Sequence, residues 1–381
     1  MSLDEEVRAE LRLLDDAGLL RAPRVVEGRG VGVTVDGVAV VNFASNDYLG
    51  LSGDPRLSTA ALDSLEHAGL GAASSRLIAG NRREHVELEH DIADWLQCDG
   101  ARLFNTGYAA NVGVLTTLLR AGDVVFSDEL NHASIIDGCR LSRASIVIYP
   151  HRDVAALARS LAVTPGARKL VVSESVFSMD GDVADVETIA ALCRRFDAAF
   201  MLDEAHAIGA LGPEGRGVAA ACGVVPSVLI GTFGKALGTF GAFAATTRAI
   251  SDLLWNRARP FVFSTGLPQC IPAATRTALA IVRGMEGAER RRLLAMRARE
   301  LRRLLDAGDL DTAIVPLRIG DSNKTMTVGA RLLEAHQFVA TIRPPTVPKG
   351  TARLRISLNA AHTEQQIREL AAITQRVIEA S

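Results

Sequence analysis

Phe200-Met201-Leu202-Asp203-Glu204-Ala205-His206 is an apolar run that ends in two acids and a histidine. It reads as a buried strand with Asp203 at its carboxyl end, where ligands sit in a parallel sheet. A second apolar run, Val224-Val225-Pro226-Ser227-Val228-Leu229-Ile230, leads into Gly231-Thr232-Phe233-Gly234-Lys235-Ala236-Leu237-Gly238. Further short apolar runs surround these two. Strands are expected at 101–104, 123–126, 145–149, 170–174, 199–202, 227–230 and 241–245, and helices at 85–96, 107–119, 154–161 and 186–195. Apolar strands alternating with helices predict an α/β chain with a mostly parallel sheet covered on both faces.

Lys235 and Asp203 carry the chemistry. A lysine is protonated in water and a poor nucleophile, and desolvation or a Schiff base with a carbonyl makes it useful. Gly234, Gly238 and Gly241 let the backbone approach a flat ligand, and Thr232 is placed to meet a phosphate. A buried carboxylate needs a partner, and a protonated pyridine nitrogen supplies one while making its ring a stronger electron sink. The pair therefore points to pyridoxal phosphate. His206 is within reach of the ring's phenolic oxygen if the loop turns. Lys235 is not part of a nucleoside-triphosphate loop, because Ala236 follows it and the glycine spacing differs. Asp-Glu-Ala-His also occurs in nucleotide-hydrolysing helicases, but those need a phosphate loop upstream and none is present.

Three loops after strands add candidates. Asn105-Thr106-Gly107-Tyr108-Ala109-Ala110-Asn111 opens a helix, where free amides bind phosphate or simply form a capping turn. Asp128-Glu129-Leu130-Asn131-His132-Ala133-Ser134 puts His132 after a strand end, either as a structural residue or stacked on a planar cofactor. Ser173 to Asp182 is polar and offers Glu174 and Ser178 as cofactor contacts, while Asp180 and Asp182 read as turn residues rather than metal ligands.

Bulk properties set the limits. The chain has 381 residues, 48% of them hydrophobic, and a net charge of −2. That balance gives no reason to expect nucleic acid or an anionic membrane as partner. The five cysteines, at 98, 139, 193, 222 and 270, form no CxxC pair and read as reduced core thiols without a disulfide framework or metal site. No stretch is apolar enough to span a membrane, the first twenty residues lack the form of a signal peptide, and a cytoplasmic location follows. Leu3, Val7, Leu11, Leu14 and Leu19 mark an amphipathic helix over 3–20, and residues 28–43 read as a hairpin. The expected organisation is an N-terminal helix and hairpin segment at 1–45, a large cofactor-binding domain at 46–273, and a smaller α+β domain at 274–381.

The chain also resembles the α-oxoamine synthases, a branch of the fold-type I pyridoxal phosphate transferases with the aspartate aminotransferase-like fold. The resemblance runs from Asn42 to His362. It is carried by Asn42-Phe43-Ala44-Ser45-Asn46-Asp47-Tyr48-Leu49-Gly50-Leu51, by Gly71 to Gly80, by Asn131-His132-Ala133-Ser134, by Asp203 to His206, by Gly231 to Gly238, and by Ile342-Arg343-Pro344-Pro345-Thr346-Val347-Pro348. It implies that Lys235 carries the cofactor and then serves as acid and base, that Asp203 pairs with the pyridine nitrogen, that His206 meets the ring oxygen and that His132 stacks on the ring. It implies phosphate contacts from Gly107, Tyr108 and Thr232, with Thr265 reaching the phosphate of a second subunit in a homodimer. Arg343 would take the amino-acid carboxylate. Asn46 and Ser178 would meet substrate or cofactor, Arg21 would lie near the acyl-donor entrance, and Glu174 would position the reacting carboxyl or His132. The activity implied is decarboxylative condensation of L-alanine with a pimeloyl thioester, on coenzyme A or on an acyl carrier protein. A glycine-using synthase of the same branch, such as a 2-amino-3-ketobutyrate CoA ligase, is the alternative.

Overall fold

In the computed structural model, which describes residues 2–380, the apolar runs form one seven-stranded sheet. Its spatial order is Gly100–Phe104, Ala242–Thr246, Val228–Thr232, Ala198–Asp203, Lys169–Glu174, Val124–Asp128 and Ser145–Tyr149. The strands from Val228–Thr232 to Ser145–Tyr149 pair in parallel. Ala242–Thr246 runs antiparallel to both of its neighbours. Helices cover both faces, so Val124–Asp128 and Ala242–Thr246 are buried along their whole length and read as unbroken apolar runs rather than alternating ones.

The strand order reverses beside Val124–Asp128, which pairs with Ser145–Tyr149 on one side and Lys169–Glu174 on the other. Such a reversal opens a crevice at the carboxyl ends of the strands. One core cluster joins Phe104, Val114, Leu115, Val125, Ile135, Leu170, Met201, Ile230, Ala244, Leu254 and Phe261. Each buried large apolar side chain there contributes about 1.5–3 kcal/mol. Helix starts are set by side-chain caps at Thr106, Asp153, Asp185 and Thr247.

Two compact units emerge. The larger comprises Asp47–Ser178 and Asp182–Arg292, and the smaller Met1–Asn46, Met179–Gly181 and Leu293–Ser381. The helix Cys270–Arg283 lies in the larger unit and the N-terminal segment in the smaller. Within the smaller unit, the hairpin expected at 28–43 is a three-stranded meander of Val26–Arg29, Gly32–Val35 and Val38–Asn42, extended by Gln337–Phe338. Gln337–Phe338 joins this sheet, and Ala340–Ile342 joins a second one with Ile314–Gly320 and Ala352–Ser357. The first helix ends at Asp16, and Gly18 follows with φ of 65°. No helix among the described residues is long and apolar enough to cross a membrane.

Candidate active site

The residues singled out at strand ends converge on one edge of the large sheet. Glu174 and Asp203 close adjacent strands and are register partners. Thr232 closes the next strand, and His132 caps the helix Ala133–Ser142 that follows Val124–Asp128. Asn131 fixes that loop in place. Its side chain donates to Ser127 Oγ and to the Val172 carbonyl, both at 2.9 Å, and accepts from the Glu174 amide at 3.0 Å.

Asp203 is buried, at 6% exposure. Its Oδ2 accepts from Asn111 Nδ2 at 2.7 Å and its Oδ1 from the Ala205 amide at 2.9 Å. Neutral donors of this kind compensate a buried charge less well than a cation does. Asn111 also donates to Ser134 Oγ at 2.9 Å, and Ser134 Oγ lies 2.8 Å from His132 Nδ1. Packing around the His132 ring lowers its pKa. The Asp203 charge opposes that effect and the Lys235 charge adds to it.

Glu174 is biased towards its protonated form. Burial pushes its pKa up to about 8, assisted by the Asp203 charge and opposed by Lys235 and by hydrogen bonds from the His132 and Ser178 amides. Its Oε1 is buried without a hydrogen-bond partner, as is Oδ1 of Asn111. His206 Nδ1 and the Tyr48 hydroxyl are 2.6 Å apart.

Lys235 is half-buried in a tight loop closed by bonds between Phe233 and Gly241, Thr239 and Phe233, and Gly238 and Lys235. Gly238 has φ of +67°, and a Cβ there would lie 2.4 Å from the Ser52 nitrogen. The loop therefore rests backbone to backbone on the turn at 51–52. That turn is itself held by Asp47, whose Oδ1 accepts from the Leu51 amide at 2.9 Å and whose Oδ2 accepts from Ser52 Oγ at 2.6 Å. At the helix start, a Cβ on Gly107 would lie 2.8 Å from Thr232 Cγ2. The first amides of this helix and the Thr232 side chain thus share one small space. The lysine, the buried carboxylate, the helix-start cradle and the orphaned buried oxygens fit a phosphorylated pyridine aldehyde.

The family model for class I and II aminotransferases matches residues 38–373. The chain belongs to that family. Its members bind pyridoxal phosphate on a fold-type I scaffold, and this chain is a pyridoxal phosphate protein of that fold. A curated relative from Geobacter sulfurreducens, named 8-amino-7-oxononanoate synthase, is 45% identical over 384 residues, which is 98% of each chain. Among solved structures, a serine palmitoyltransferase from S. paucimobilis with bound PLP is 32% identical. It matches at a TM-score of 0.94 over 100% of this chain and 99% of that one. An 8-amino-7-oxononanoate synthase from Francisella tularensis is 27% identical at a TM-score of 0.78, over 90% of this chain and 98% of that one.

The other positions marked by the resemblance are dispersed over both units. Tyr108 is half-exposed and its hydroxyl donates to Asp137. Thr265 forms an isolated bridge with Ser75, and its carbonyl accepts from Asn105 Nδ2 at 3.0 Å. Within the smaller unit, Arg21 donates to Thr346 Oγ1 at 2.9 Å. Arg343 is buried, with one Nη on the Leu20 carbonyl at 2.8 Å and the other on Met326 Sδ. Asn46 Oδ1 accepts from Arg355 Nη1 at 3.1 Å, and the same nitrogen donates to Ser357 Oγ at 2.8 Å.

Sequence reasoning passed over Arg355, Tyr48, Ser134, Asn131 and the inward role of Asn111. Arg353 and Arg355 alternate with apolar residues in one strand, and both are buried. Two arginines alternating with apolar residues in one strand were the available signal for Arg355. Tyr48 follows Asn46 by two residues, which was a weaker one.

Proposed function

We propose that the chain catalyses the decarboxylative condensation of L-alanine with a pimeloyl thioester, giving 8-amino-7-oxononanoate, carbon dioxide and the free thiol. The observation that carries this reading is the 45% identity to a protein of that name along 98% of both chains, joined to the grouping of Lys235, Asp203, His132 and Glu174 in one unit.

The bound cofactor supplies an electron sink beside the amino acid's alpha carbon. Lys235 would hold the cofactor, and its amine would take the alpha proton and later return one to the product carbon. Asp203 would pair with the pyridine nitrogen. His206, 2.6 Å from the Tyr48 hydroxyl, would meet the ring oxygen, and His132 would stack on the ring. The amides of Gly107 and Tyr108, with the Thr232 hydroxyl, would hold the phosphate, and Ser178 would add a contact from its loop. Glu174, protonated, steadies the His132 loop and offers a donor to an oxygen that gains charge.

The amino-acid carboxylate goes to an arginine. Arg343 and Arg355 are both candidates. Arg343 has its Nη groups on Leu20 and Met326 and its Nε buried without a partner, and Arg355 is held against Asn46 and Ser357. Arg21 stands beside Thr346 on the acyl-donor side. The protein acts as a cytoplasmic homodimer in which Thr265 reaches the partner's phosphate. The exposed apolar side chains Ile78 and Phe263, near Thr265 in sequence and through the Ser75 bridge, support that pairing.

The test compares product and carbon dioxide release from L-alanine with pimeloyl-CoA, L-alanine with a pimeloyl carrier protein, and glycine with acetyl-CoA. Turnover with either pimeloyl donor and not with glycine is expected. Preference for glycine with acetyl-CoA would replace this reading with the 2-amino-3-ketobutyrate ligase one. Lys235→Ala abolishes turnover, and residual turnover near the wild-type rate would end the lysine's assignment. Sizing chromatography checks the dimer.

A further inference from the structure

The hydrogen-bond chain behind His132 has a direction. The Ser134 backbone amide lies 3.2 Å from His132 Nδ1, and an amide can only donate. Nδ1 is therefore the acceptor, and the ring proton of the neutral histidine sits on Nε2. The Ser134 hydroxyl, 2.8 Å from the same Nδ1, donates there too, because an Nδ1 without a proton can only accept, and its oxygen accepts from Asn111 Nδ2 at 2.9 Å. The second hydrogen of that Asn111 amide goes to Asp203 Oδ2 at 2.7 Å. The opposite amide orientation would press the Asn111 oxygen against a carboxylate, so the orientation is fixed. Both hydrogens of the Asn111 amide, the Ser134 hydroxyl and the Ser134 backbone amide are engaged in this row. Asn111 and Ser134 are 1% and 0% exposed.

We propose that Asn111 and Ser134 are positioning residues that lock His132 as a neutral Nε2–H hydrogen-bond donor for an oxygen that gains charge on the reacting substrate. The functional half of this inference rests on the proposed reaction. The tautomer half does not. The charged or titratable groups facing His132 are Asp203, Lys235 and Glu174, whose carboxyl takes the His132 amide. Protonating Nδ1 would set an N–H against the Ser134 amide, so the chain favours the neutral ring. It also makes His132 a fixed donor that does not pass its proton on.

The experiment uses the full chain without cofactor, labelled with 15N-histidine. Two-bond 1H–15N spectra read the tautomer and the titration of each of the eight histidines, and His132→Gln assigns the signal. The expected wild-type result is an Nε2–H pattern, with a midpoint below the usual histidine range of about 6.5. Ser134→Ala removes a donor to the neutral ring and raises the midpoint by about half to one pH unit, whereas Ser134→Thr stays near wild type. In the loaded enzyme, Ser134→Ala lowers kcat about five- to tenfold with little change in KM for the amino acid. Ser134→Cys, a weaker donor of similar shape, gives an intermediate shift and serves if the alanine variant fails to fold. A wild-type proton on Nδ1, or a midpoint that Ser134→Ala and Ser134→Cys leave unmoved, overturns the proposal. Because the spectra need neither substrate, the tautomer stands or falls independently of which substrates the enzyme uses.

Discussion

Replacing His151 by glutamine tests how the two loops of the site are tied together. His151 Nδ1 is 2.9 Å from Asp128 Oδ1 and Nε2 is 2.9 Å from Asp182 Oδ2. The ring meets Phe177 edge-on at 4.3 Å, and its side chain is 18% exposed. Burial alone would lower its pKa, but the hydrogen bonds and charges of the two aspartates win and raise it to about 9. A rise from 6.5 to about 9 corresponds to about 3 kcal/mol of folded-state preference for the imidazolium. Because the folded pKa is the higher one, this stability is fully present below about pH 6.5 and is lost as pH rises through about 9.

His151→Gln keeps a polar group of similar reach and removes the charge. At pH 6 the variant is expected to be less stable by about 2–3 kcal/mol, with the gap closing to under about 1 kcal/mol by pH 10. Urea unfolding followed by circular dichroism, at fixed protein concentration and in steps across that range, measures it. Arg152, which also bonds Asp128 and Asp182, is present in both proteins and cancels in the difference. A gap that stays constant from pH 6 to 10 would mean that folding leaves the His151 pKa unshifted, and the reasoning would fail. The clamp matters for the site because Asp128 precedes the His132 loop and Asp182 follows the segment carrying Glu174 and Ser178.

Tyr48→Phe deletes the bond to His206 Nδ1 and leaves the ring in place. Loss of about 1 kcal/mol should slow turnover roughly fivefold without changing the fold, and a rate equal to wild type would remove Tyr48 from the site. Glu174→Gln removes a carboxyl that must ionise in a buried place. Its folded pKa of about 8 lies above the ordinary value of 4.5, so wild type loses stability as pH climbs through that interval. The variant should melt higher than wild type at pH 9 and yet turn over more slowly, and thermal melts at pH 5 and pH 9 beside steady-state rates check both halves.

The sheet and the chemistry at its edge were legible because each signal was local. A buried strand that ends in Asp203, and a glycine-bounded loop around Lys235, announce themselves within a few residues. What stayed hidden depends on distant pairing. Asn111 was visible only as the tail of a phosphate-binding turn, and one helical turn carries it beneath Asp203 instead. Ser134 looked like part of a cap. Arg355 lies in Ala352–Ser357, and its burial follows from pairing with Ile314–Gly320 and Ala340–Ile342 on either side. The helix Pro55–Ala68 went unread although Asp54 and Pro55 form a proper start, and the third strand of the N-terminal meander was masked by glycines that suggested a single turn.

The contact between Gly238 and Ser52 has a consequence for anyone redesigning this enzyme. The lysine's reach is keyed by main chain on main chain, so no rotamer can relieve a substitution there. A library that randomises 233–241 to admit new acyl donors would discard nearly every member with a side chain at 238 before its chemistry was sampled. Phe240, half exposed in the same loop, is the position where diversity can be explored without dislodging the amine.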